Sequence, residues 1–124
     1  MNALATLGAL QERGYRARLD HTELVVNGPG PVPEDLRNEI VSDTVGVKAA
    51  VLLGDPPQWL EDLFKMWWDG TPTPVSRTAP SGKAEVYPAP VTVKSIATAV
   101  ADEIGMGWRR WEEIREEVEE ALGS

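Results

Sequence analysis

The chain reads as an α+β protein, and three patterns predict it. Apolar residues recur at helical spacing in several separate stretches. Two short runs, "YRARLD" and "ELVVN", have the alternation and β-branched content of strands. Glycine and proline punctuate the boundaries, most densely in "GPGPVP" and across residues 71–91. The expected order is a small helix–β-hairpin–helix–helix unit over residues 1–55. A tryptophan-rich helical part with a candidate second hairpin follows over residues 56–124.

Leu4, Leu7 and Leu10 are spaced by three among good helix formers, so a helix is expected from about Ala3 to Arg13, stopped by Gly14. Tyr15, Ala17 and Leu19 then alternate with Arg16, Arg18 and Asp20 as a half-buried strand. "HT" is a two-residue turn, and "ELVVN" pairs back with Leu24 and Val26 on one face. Pro33 suits the first turn of the next helix, where its missing N–H costs nothing, and Glu34 and Asp35 complement the helix dipole. Val45 to Leu53 forms a further helix, with Gly46 as its weak point.

After "GDPP", the residues Trp59, Leu60, Leu63, Phe64, Trp67 and Trp68 form one apolar stripe of an amphipathic helix that Gly70 ends. Trp67 is expected in the core and Trp68 at the stripe's edge. A hairpin from about Pro74 to Tyr87 competes with a flexible linker, with "APSG" as its turn. Thr92 caps the following helix, whose buried face is Ile96, Val100 and Ile104 and whose stop is Gly105. A last helix places Trp108, Trp111, Ile114 or Arg115, Val118 and Leu122 on one stripe and glutamates on the rest.

The totals exclude several classes. With no cysteine there is no disulfide framework, thiol nucleophile or cysteine-ligated metal. "MNALATLGAL" lacks the charged start and long apolar run of a signal peptide, and no window is apolar enough to span a bilayer. The expectation is a cytoplasmic protein without a membrane segment. The net charge of −8 opposes phosphate backbones and anionic lipids. It is unevenly spread: −3 over residues 1–55, −1 over 56–91 and −4 over 92–124.

Residues 1–53 carry a resemblance. "LGALQERGYRARLDHTELVV" and "PVPEDLRNEIVSDTVGVKAAVLL" are similar to the TubC N-terminal docking domain family. The matching positions are Leu7, Leu10, Gly14, Leu19, Leu24, Val26, Pro33, Leu36, Ile40, Leu52 and Leu53. The resemblance implies an αββαα fold, homodimerisation, and capture of a short tail of a preceding assembly-line subunit on the hairpin. Here the basic residues, Arg16 and Arg18, lie on the first strand, while the second offers Glu23 and Val25.

No catalytic constellation stands out. The single histidine, His21, lacks a second ligand for a metal. Asp20 with Glu23, and Asp102 with Glu103, are carboxylate pairs with no sign of a cleft. Helices flanking "GMG" suggest a helix-turn-helix, but Glu112, Glu113, Glu116, Glu117, Glu119 and Glu120 make a DNA groove electrostatically unfavourable. The expectation is therefore a non-enzymatic docking or adaptor protein without cofactor or metal, in which Arg16, Arg18, Glu23 and Val25 bind an acidic peptide tail. The alternative is a phage- or mobile-element-encoded acidic inhibitor, anti-CRISPR-like, in which Glu112, Glu113, Glu116 and Glu117 occupy a basic enzyme surface; Trp68 is a further candidate partner contact.

Overall fold

Two reversals shape the start of the chain. Gly14, at φ 85, ends helix α1 (Ala3–Glu12) and feeds strand β1 (Arg16–Asp20). His21, at φ 57, then turns β1 into β2 (Glu23–Asn27) with the positive φ that two-residue hairpins call for. The computed structural model describes residues 3–70, 74–88 and 90–123. The antiparallel register pairs Arg16 with Asn27, Arg18 with Val25 and Asp20 with Glu23. Tyr15 is buried just before β1, and its hydroxyl donates to the Pro31 carbonyl at 2.8 Å. That tethers the "GPGPVP" loop, and a Cβ on Gly28 would strike the Tyr15 ring.

Helix α2 (Glu34–Ser42) starts one residue later than its proline suggests. Pro33 is the N-cap, at ψ 142, outside the first turn. Helix α3 (Thr44–Gly54) corrects the reading of Gly46 as a weak point. The Asp43 side chain caps α3 by accepting from the Gly46 N–H at 3.1 Å, and a Cβ at Gly46 would collide with that carboxylate. Glycine here makes the cap possible.

Helix α4 (Gln58–Asp69) closes on Gly70, at φ 67. Its stripe is covered over its first turns: Leu60, Leu63 and Phe64 are buried. Trp67, expected in the core, is instead 38% exposed. In the same last turn it is Met66, outside the predicted stripe, that is buried. The second hairpin is present, with β3 (Val75–Thr78) antiparallel to β4 (Ala84–Tyr87). Its turn closes through Gly82 N–H to the Ala79 carbonyl and Ala79 N–H to the Lys83 carbonyl, both 2.8 Å. Within the proline-rich stretch, residues 71–73 and 89 lie outside the described residues.

Helix α5 (Val93–Glu103) begins with a capping box, in which Thr92 and Ser95 each satisfy the other's main-chain N–H. The single C-terminal helix expected from the sequence is two elements. Trp108–Ile114 is a 3-10 helix, kinked at Arg110, and α6 (Arg115–Gly123) is α-helical. Trp108, placed on the buried stripe by its spacing, is 54% exposed.

The largest apolar cluster joins Ala49, Leu52 and Leu53 of α3 to residues of α4, α5, the 3-10 helix and α6. The other face of α3 supplies Val47 and Ala50 to a second cluster with Ala3, Leu4 and Leu24. Helix α3 is thus apolar nearly all round because it is packed nearly all round.

Candidate functional site

Side chains alternate across a strand, so the register places the hairpin's residues on two faces. Ala17, Leu19, Leu24 and Val26 face inward, packing on α1, α3 and Leu36. Arg16, Arg18, Asp20, Glu23, Val25 and Asn27 share the outer face. The structure therefore brings together the four hairpin residues singled out from sequence: Arg16, Arg18 and Glu23 exposed, Val25 half-buried. The face is polar apart from Val25 at its centre. Asp20 opposes Glu23 beside the turn, an unfavourable like-charge pair, and the two arginines lie toward the other end. Neither arginine has an ion pair among the described residues. His21 is an exposed turn residue, 4.0 Å from Asp20. No group of three or more His, Cys, Asp or Glu among the described residues is arranged to hold a metal.

The unpaired edge of β1 is open. A groove of about 610 Å³ runs beside it, floored by Leu7, Ala17, Leu19, Val51, Pro56 and Pro57. Arg18, His21, Asp55 and Glu103 stand around its rim. A second opening of about 570 Å³ continues past Gln11, Tyr15 and Arg16. The hairpin turn itself is braced, because Thr22 sits so close to Gly105 that a Cβ there would lie 3.1 Å from it.

The most elaborate polar cluster was invisible to motif reading. The Arg77 side chain is fully buried on the inner face of β3. It donates to Glu85 at 2.9 Å, Asp102 at 3.1 Å, Glu103 at 2.7 Å and the Tyr87 hydroxyl at 3.2 Å. Its guanidinium lies 4.9 Å over the Trp59 ring. Burial works against the cation, but the hydrogen bonds outweigh it and hold the pKa above the ordinary arginine value. Tyr87 donates to Glu85 at 2.7 Å, and burial with that carboxylate pushes its hydroxyl up to about 12. Asp102 and Glu103, weighed above as an acid–base pair, are thus partners of one guanidinium that ties the second hairpin to α5. One signal could have revealed this: Arg77 falls in phase with buried Val75 and Ala79, where the strand pattern calls for an apolar residue.

The remaining predicted contacts lie elsewhere. Trp68 is 52% exposed at the end of α4. Glu112, Glu113 and Glu116 are exposed on the 3-10 helix and α6, with Glu113 paired to Arg110. Glu117 departs from the solvated face expected of it. It is half-buried, its Oε2 has no hydrogen-bond partner among the described residues, and burial, then nearby Asp43, Glu116 and Glu120, lift its pKa above the usual carboxylate range. No ion pair or hydrogen bond joins this group to the hairpin residues among the described residues. No family model, curated protein or solved structure matches the chain, so the reading of these surfaces rests on their own geometry.

Proposed function

We propose that the protein is a non-enzymatic docking protein that binds an extended, acidic segment of a partner along strand β1. The observation that carries this is the open β1 edge: an apolar-floored groove beside it, with Arg16 and Arg18 left without ion pairs among the described residues. A peptide laid there adds a third strand. Its main chain pairs with the free edge, alternate side chains enter the groove, and carboxylates meet the two arginines. The titratable groups that suggest catalysis, Asp102, Glu103 and Tyr87, are engaged with Arg77 in a structural role.

The test is capture from a lysate of the native host, with a labelled peptide of alternating leucine and glutamate as a defined probe. The wild type should retain a partner and bind the probe. Arg16→Glu with Arg18→Glu should weaken the probe by at least about tenfold, since two attractive contacts become repulsive. N-methylation of alternate peptide nitrogens should abolish binding. If the double variant and the N-methylated peptide both bind like their parents, strand addition at β1 is wrong.

A further inference from the structure

A second surface lies at the C-terminal end of α4, independent of the hairpin. Trp67 and Trp68 are 38% and 52% exposed, with ring centroids 6.5 Å apart and planes at 73°. Trp68 is fixed rather than free. The buried Phe64 ring lies 5.7 Å from it, and its Nε1 donates to the Leu122 carbonyl in the last turn of α6 at 3.1 Å. An indole held this way loses little freedom when a partner covers it.

The other tryptophans say what that partner carries. Arg77 lies over Trp59 at 4.9 Å, Arg109 over Trp108 at 5.0 Å and Lys94 over Trp111 at 5.4 Å. Three of the five tryptophans thus have a cation from the chain itself on the ring. The exposed pair has none among the described residues. The surroundings favour the same sign of guest. Helix α6, which anchors Trp68, holds four glutamates against one arginine, and that arginine, Arg115, is paired with Glu119 at 3.5 Å. On α4, Asp69 is exposed next to Trp68, and Lys65 is outnumbered by Glu61, Asp62 and Asp69.

We infer that Trp67 and Trp68, with the carboxylates of Asp69, Glu116 and Glu119, form a docking surface for a basic segment of another protein. Guanidinium or ammonium groups of that segment stack on the two indoles, a contact that a cation–π pair favours most when desolvated. The carboxylates supply the attraction that guides and orients it.

The probe is a fluorescein-labelled nonapeptide alternating arginine and leucine, compared with one carrying neutral citrulline at each arginine. The wild type should bind the arginine peptide at least tenfold more tightly. Trp67→Leu keeps the net charge and apolar bulk but removes the π face, and should lose at least fivefold. Glu116→Lys with Glu119→Lys should lose at least tenfold. In the wild type, titration should move the indole N–H resonances of Trp67 and Trp68 more than those of Trp59, Trp108 and Trp111. This reading needs no variant to fold. Equal binding of the citrulline peptide overturns the proposal, as does a Trp67→Leu affinity within twofold of the wild type. Unmoved Trp67 and Trp68 resonances overturn it too. So does self-association of the wild type at micromolar concentration that Trp67→Leu abolishes, which would assign the surface to a second copy of the chain.

Discussion

A guanidinium withdrawn from water needs its charge met, and Arg77 is held although its buried Nε has no partner among the described residues. Around Arg77 the charge is more than met: three carboxylates surround one cation, each about a quarter exposed. Removing the cation leaves those carboxylates repelling one another beside an apolar wall. Arg77→Ala should therefore cost about 3 kcal/mol at neutral pH, the lower end for a broken buried pair because its partners touch solvent. Urea unfolding across pH checks this. The deficit should shrink as the freed carboxylates take up protons on acidification, and a pH-independent loss under 1 kcal/mol would mean the cluster is not the clasp described here. Single residues of this kind were the least legible in sequence. His21 and Gly14 announced themselves because a turn's conformation is local. Arg77 acquires its meaning from residues it meets only in the fold, across a strand pair and on α5, whereas Gly46 is explained by Asp43, a local cap three residues away that propensity alone overlooks.

At the scale of elements, the contact between α6 and the rest contains a built-in cost. The Glu117 carboxyl is raised by burial, then by Asp43, Glu116 and Glu120. A carboxyl whose pKa is higher folded than unfolded contributes stability below its unfolded value and loses that contribution as pH rises through the folded value. The wild type should therefore lose stability on going from acid to neutral pH at this site. Glu117→Gln should melt higher than the wild type near neutrality, and the two should converge below the ordinary glutamate value of about 4.3. Thermal melts of both proteins between these limits decide it; a variant less stable at neutral pH would show that the carboxylate is satisfied by the fold. Most elements were readable because caps and periodicities are short-range: Thr92, Gly70 and Gly105 bound their helices as expected. The 3-10 helix was missed although its signal was present. Trp108, Trp111 and Ile114 repeat every three residues, the period of that helix, whereas Ile114, Val118 and Leu122 repeat every four. Trp67 was misplaced for a different reason, since periodicity tells which way a side chain points but not whether anything lies there.

For the whole molecule, α3 is where the two halves of the sequence meet. It presents Val47 and Ala50 to one cluster and Ala49, Leu52 and Leu53 to the other. Residues 1–55 alone would leave that second face in water, at roughly 1.5–3 kcal/mol for each buried leucine side chain. A unit of that size has little stability to spare. The isolated 1–55 fragment should thus show no cooperative melt, while the full chain unfolds in one transition. Calorimetry of both would tell, and a sharply melting fragment would make the hairpin unit an autonomous module. The hairpin face was legible in sequence because alternation alone sorts its residues. The groove beside it was not, since its walls come from α1, β1, α3 with the link after it, and the end of α5.

The tryptophans have one more consequence, an optical one. All five follow residue 58, whereas the tyrosine nearest the first hairpin, Tyr15, is sealed beneath the proline loop. Indole emission is therefore a reporter for one end of the molecule and nearly silent about the other. The chain comes with natural labels on its α4–α6 face and none on its hairpin, so a fluorescence trace follows the first directly and the second only through Trp59, which packs on the same cluster as Leu19.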